Sequence, residues 1–217
     1  MHTAHAGGFF LPCWRTMRPP MTPDPKARKR ELRSELIAAR ARLTPGERQA
    51  RSALIAERLS GFGPFREAAT VGLYAPLGTE VDAWPLARAV LARGGRVAFP
   101  RGVPGERLLA FAACDPGDLV RGPFGAGEPP PGARLVPLAE IGCFVIPGVG
   151  FSRDGFRLGR GGGYYDVTLK QALGAARVGV AYAAQLRPEL PSEPHDVPLD
   201  AIVTELETLL FPRQVNP

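Results

Sequence analysis

The sequence has little of what marks a membrane, secreted or metal-stapled protein. No apolar run reaches the roughly 18–20 residues that a bilayer-spanning helix needs, so no membrane partner is expected. GGFFLPCW, residues 7–14, is short, interrupted and without a basic segment ahead of it, unlike a signal peptide. Cysteine is scarce. Cys13, Cys114 and Cys143 are odd in number and fit no zinc or redox spacing, so a reducing cytoplasm is the expected compartment. Residues 26–60 hold no aromatic side chain, which removes the stacking platform of a nucleic-acid module, and no nucleic-acid partner is expected.

What is present points to one domain. The 217 residues are 45% hydrophobic, enough for a sizeable core. Residues 1–24 read as a loose Pro/Gly tail, either disordered or upstream of a true start at Met17 or Met21. The domain is assigned to residues 25–212, and a monomer is expected. Positive charge is concentrated at the front: residues 1–60 carry 12 Lys/Arg against 5 Asp/Glu, and the remainder carries 15 against 16. Such a segment suits an anionic ligand.

Leu32, Leu36, Ala39 and Leu43 form one apolar stripe and predict a helix over about 25–42. Thr44-Pro45-Gly46-Glu47 predicts a capping box and a second helix to about Ser60. The period then changes. Strands are expected at 70–74, 96–100, 108–113, 141–146, 177–182 and 201–204, with helices at 80–93 and 164–174 and a long loop at 114–137. Strands alternating with helices imply a three-layer α/β/α domain with a mostly parallel sheet, preceded by two helices. Sugar-phosphate isomerases and CoA transferases share that kind of sheet.

The segment DGFRLGRGGGYYD, residues 154–166, follows the strongest strand and opens a helix. Gly159, Gly161, Gly162 and Gly163 allow successive backbone N–H groups to converge on an anion. Arg157 and Arg160 add forked donors suited to phosphate or carboxylate. Asp166 repels a bare anion but suits a magnesium ion bridging to one. Local composition leaves a glycine-rich turn with solvated charges as the other reading. The P-loop ending and the dinucleotide fingerprint are both absent.

PGVGFSRDGFRLGRGGGYYD at 147–166 resembles the signature of the 5-formyltetrahydrofolate cyclo-ligase family. KRELRSEL at 29–36, LYAPLGTEVDAWPL at 73–86, VAFPR at 97–101, GPFGAGEP at 122–129 and EPHDVPLD at 193–200 resemble further segments of that family, in its order. The resemblance implies ATP-dependent cyclisation of 5-formyltetrahydrofolate to 5,10-methenyltetrahydrofolate through a phosphorylated formyl group, with magnesium as cofactor. The alternative is a phosphate-binding α/β enzyme of another class that needs no ATP.

Residue by residue, the resemblance gives ATP contacts to Lys29, Arg33, Arg157, Leu158, Gly159, Arg160, Gly161, Gly162, Gly163, Tyr164 and Tyr165. It gives folate contacts to Arg33, Ala75, Glu80, Phe124, Arg160, Gly161, Gly163 and Tyr164, and metal ligation to Asp166 and Asp196. Gly162 stands where some relatives carry lysine. Each residue also has a plainer reading. Lys29 and Arg33 suit a solvated basic helix, Glu80 a helix N-terminal acid, Phe124 a satellite apolar contact and Asp196 a turn. His195 is assigned a structural role.

Overall fold

The computed structural model describes residues 24–212. The expected N-terminal tail lies outside the described residues, apart from Asp24. That residue caps helix α1 (Pro25–Ala41): its side chain accepts the Lys26 N–H at 3.1 Å, and Pro25 sits where no N–H is needed. The buried face of α1 is Lys29, Leu32, Leu36 and Arg40. Ala39 and Leu43, expected on that face, are only half-buried. Two cations therefore share the inward row with two leucines. Helix α2 (Pro45–Gly61) opens with the expected capping box. Thr44 Oγ1 accepts the Glu47 N–H at 3.2 Å, and Glu47 Oε2 accepts the Thr44 N–H at 2.8 Å. A third short helix, α3 (Gly63–Glu67), carries no sequence period because it is barely longer than one turn.

Strand β1 (Thr70–Gly72) leads through a long turn to helix α4 (Trp84–Ala92), which starts later than the expected Glu80. Asp82 accepts the Trp84 N–H at 2.9 Å and so takes the capping task. Strands β2 (Arg96–Gly102) and β3 (Leu109–Ala113) follow. The expected long loop contains β4 (Val120–Arg121), β5 (Gly127–Glu128) and β6 (Leu135–Val136). Then come β7 (Cys143–Ile146), β8 (Gly150–Ser152), β9 (Arg157–Leu158), helix α5 (Tyr164–Gln171), β10 (Ala176–Val180), β11 (Leu186–Arg187), β12 (Ala201–Val203) and β13 (Thr208–Leu210).

The main sheet has the order β13-β12-β10-β7-β1-β2-β3-β6. β12, β10, β7, β1 and β2 pair in parallel, and β13, β3 and β6 add antiparallel edges. This is the mostly parallel α/β sheet expected. Alternate residues face opposite sides. Val71, Val97, Cys143, Val145 and Val178 pack with Ile55, Leu59, Leu86 and Val90 of α2 and α4. Ala98, Phe144, Ile146 and Ile202 pack on the other side with Leu169 of α5 and with Phe151. That second layer is thin, because a single helix shares it with the small sheet β11-β8-β9. The small sheet begins just past the carboxyl end of β7, and open α/β sheets bind ligands at the carboxyl ends of their strands.

Candidate active site

From β7 the chain passes into the β8–β9 hairpin, which delivers Arg157 and Leu158 to the mouth of the sheet. Leu158 is buried with Val149, Leu190 and, from α1, Leu32 and Leu36. Its side chain therefore faces the core. The same cluster fastens α1 across the loop, so the basic helix and the glycine segment form one surface. Arg33 Nε donates to the Gly159 carbonyl at 2.8 Å. Gly161 and Gly163 have φ of 105° and 72°, a left-handed region that side chains rarely adopt. Gly163 is also the N-cap of α5, so the curl ends where free helix N–H groups begin. Gly162 lies exposed beside the Tyr164 ring.

Three ion-paired groups surround this curl. Lys29 Nζ donates to Glu193 Oε2 at 2.7 Å and to Asp196 Oδ2 at 3.0 Å. Burial disfavours the lysine's charge, but these two acids outweigh it and hold its pKa above the ordinary value. The Lys29 hydrogen bond in turn pulls Glu193 below the usual carboxylate range. Arg157 Nη2 donates to Asp166 Oδ2 at 3.1 Å and lies over the Tyr165 ring. Arg160 donates to Glu80 Oε1 through Nη2 at 2.8 Å and Nε at 3.3 Å. Glu80 Oε2 accepts the Leu77 N–H at 3.1 Å. Glu80 therefore sits in a turn ahead of α4, and the helix N-terminal reading is corrected. Among the described residues Arg33 enters no ion pair, so its charge faces the curl unneutralised.

Ala75 is buried just past β1, beneath Gly127 of the β4–β5 hairpin. That hairpin carries Phe124, which is 62% exposed rather than buried. It meets Tyr164 edge-on, with ring centroids 5.5 Å apart. Two aromatic rings from separate loops thus frame one side of the opening. The Tyr165 hydroxyl is buried without a hydrogen-bond partner among the described residues. Burial raises its pKa well above the ordinary phenol value, and Arg157 offsets part of that.

The two expected metal ligands share a corner without meeting. Asp166 Oδ1 accepts the N–H of Val197, the neighbour of Asp196, at 3.4 Å. Ligand atoms of Glu193, His195 and Asp196 lie within 4.8 Å of one another, and Asp166 stands outside that cluster. The carboxylate oxygens of Asp166, Asp196 and Glu193 are the hard donors that magnesium takes, so the donor chemistry fits. Lys29 and Arg157 at present share those oxygens. The structure also brings in residues the sequence reading did not select: Glu193, Thr79 and Arg40. Arg40 continues the inward row of Lys29, Leu32 and Leu36, and that spacing was its available signal.

The model of the 5-formyltetrahydrofolate cyclo-ligase family matches residues 25–205. The chain belongs to this family. A 5-formyltetrahydrofolate cyclo-ligase of Mycolicibacterium smegmatis is 34% identical over 186 residues, covering 81% of this chain and 93% of the relative. That of Escherichia coli K12 is 34% identical over 170 residues, covering 76% and 93%. Among solved structures, the Aquifex aeolicus 5,10-methenyltetrahydrofolate synthetase has a TM-score of 0.74 at 32% identity, covering 87% of this chain and 96% of that one. The Mycoplasma pneumoniae synthetase has a TM-score of 0.67 at 26% identity, covering 82% and 98%. The cyclo-ligase fold of these proteins is the fold described above. Among the described residues no helix is long and apolar enough to cross a membrane.

Proposed function

We propose that the chain is a 5-formyltetrahydrofolate cyclo-ligase that converts 5-formyltetrahydrofolate and ATP to 5,10-methenyltetrahydrofolate, ADP and phosphate, in the cytoplasm. Family membership supports the reaction. The observation that carries it to this site is the Arg160–Glu80 contact at 2.8 Å. It joins the glycine loop, suited to polyphosphate, to a carboxylate suited to a paired donor edge of a pterin. Two ligands of different chemistry then meet at one point.

The chemical difficulty is a formyl oxygen that leaves badly. Phosphorylation makes it a good leaving group. In this reading the formyl oxygen attacks the γ-phosphorus and the bond to ADP breaks. N10 then attacks the activated carbon, phosphate departs and N10 loses its proton. Little covalent work falls to the protein, so positioning and charge neutralisation dominate. Arg33, with no ion pair among the described residues, and Arg160, exposed at the rim, supply positive charge. The backbone N–H groups around Gly161–Gly163 supply oriented donors. The Glu80 carboxylate accepts from the pterin, and Phe124 with Tyr164 forms an aromatic wall. Asp166 and Asp196, with Glu193 beside them, would hold magnesium, which would supply charge neutralisation for the phosphate groups. Lys29 and Arg157 keep those carboxylates oriented.

The test is direct. Purified protein is mixed with 5-formyltetrahydrofolate, ATP and magnesium, and the near-ultraviolet absorbance of the methenyl product is followed. A rise that requires ATP is expected. A rise without ATP, or none from folded protein that binds ATP, sinks the assignment and favours the phosphate-binding alternative.

A further inference from the structure

Arg40 is a buried charge that the reaction above does not use. It lies on the inward row of α1 and is 4% exposed. Its Nε donates to Thr79 Oγ1 at 2.9 Å, and it enters no ion pair among the described residues. A buried guanidinium without a carboxylate in contact is destabilising, so packing alone does not account for an arginine here. A neutral side chain of similar length would fill the same space.

Its surroundings suggest a use. Thr79, which it holds, precedes Glu80 in the chain. Burial lowers the Arg40 pKa first of all; Glu80 is the leading influence raising it, and Arg160 lowers it further. Glu80 thus has two guanidiniums in its field, and they differ in one respect. The Arg160 side chain is 56% exposed and touches the carboxylate. Arg40 is enclosed and acts from behind, through Thr79 and through space. The phenols of Tyr74 and Tyr165 also lie in the field of Glu80.

We propose that Arg40 is a positioning residue for 5-formyltetrahydrofolate: it is the fixed counter-charge of Glu80, whereas Arg160 is an exchangeable one. The inference rests on the cyclo-ligase reading and extends it. Arg160 cannot serve Glu80 and a polyphosphate with the same donors. When ATP draws Arg160 away, a carboxylate at 9% side-chain exposure would lose its only contacting cation among the described residues. Arg40, hydrogen-bonded to the preceding residue and shielded from solvent, stays in place, holds the segment that carries Glu80 and keeps a positive charge near its carboxylate throughout the exchange.

The experiment compares Arg40→Gln with Arg40→Lys and wild type in the full chain. Gln retains a donor for Thr79 without charge, and Lys retains charge. R40Q should raise the KM for 5-formyltetrahydrofolate about tenfold, with the KM for ATP within twofold of wild type. R40K should restore the folate KM to within twofold. Tm of R40Q should equal or exceed that of wild type, because a buried unpaired charge has gone. A folate KM unchanged in R40Q, an equal rise in both KM values, or an R40K as impaired as R40Q overturns the proposal. Should R40Q fail to fold, R40K decides alone, since a folate KM raised tenfold with the charge retained is incompatible with it. Wild type is the control that separates the two readings. If wild type shows no ATP-dependent product, the cyclo-ligase assignment itself fails and takes this inference with it.

Discussion

At the scale of single residues, the site is a set of acids each held by a cation, and the pairs are legible to different degrees. Asp166 was readable because it closes a glycine segment at a helix start. In the structure Arg157, nearly enclosed, holds it at 3.1 Å. Asp166→Ala would strand that guanidinium, so Asp166→Asn, which keeps an acceptor, is the cleaner variant. It should lower turnover roughly 10–100-fold and raise the magnesium concentration for half-maximal rate, with Tm little changed. Turnover and magnesium dependence equal to wild type would remove Asp166 from the metal site. Glu80 was readable from its segment but not its pose, since its partner Arg160 is distant in sequence. Arg40 was passed over for a specific reason, although its spacing carried a signal. A basic residue on an amphipathic helix is ordinarily assigned to the wet face, and here the helix turns Lys29 inward to Glu193 and Asp196 and Arg40 inward to Thr79. Phe124, read as a folate contact or a satellite apolar contact, lies exposed at the rim, edge-on to Tyr164.

At the scale of elements, legibility followed length and burial. β7 is buried on both faces, so it reads as an unbroken apolar run. The capping box of α2 fixed its start because the two hydrogen bonds are local. The β8–β9 hairpin and β11 escaped, since strands of two or three residues show no alternation. Their registry is set by long-range contact with α1. The turn before α4 escaped because Glu80 and Asp82 are both plausible caps, and only Asp82 bonds to the Trp84 N–H. The junction of the glycine loop with α5 makes an element-scale prediction. Gly163 has φ of 72° with open space around its missing side chain. Gly163→Ala therefore meets no clash, and its cost is backbone strain of about 1–2 kcal/mol. Tm should fall by several degrees, and relief of the strain should swing the helix N–H groups off the anion and raise the KM for ATP. Equal Tm and KM values in calorimetry and steady-state assays would contradict both effects.

At the scale of the whole molecule, the sheet and its class were legible, and the lopsided second layer was not. That layer joins Leu169 of α5, a helix the sequence does signal, to Phe151 of β8, a strand too short to signal itself. The charge network gives the molecule a defined pH range. Glu47 lies below the ordinary 4.5 through backbone and side-chain hydrogen bonds from Thr44, Glu193 through Lys29, and Glu207 through Arg153. A depressed carboxyl contributes stability that is complete above its unfolded pKa and lost as pH falls through the folded one. Lys29 is the reverse case. Burial opposes its charge, its two acids prevail, and its pKa lies above 10.5, so its contribution is complete below that value and lost as pH rises through the folded pKa. Tm measured by scanning calorimetry should be level at neutral pH, fall below pH 4.5 and fall again above pH 10.5. Glu193→Gln should shrink both falls, and a Tm indifferent to acid would refute the network's role. The closure of α1 over the loop has one further consequence, for the order in which the chain is made. α1 leaves the ribosome ahead of every other described element, yet Arg33 must wait for Gly159 and Lys29 for Glu193 and Asp196. The glycine loop is itself translated before the acids that close on α1. A nascent chain halted short of Glu193 therefore carries the basic helix and the glycine loop while Lys29 still lacks both of its carboxylate partners.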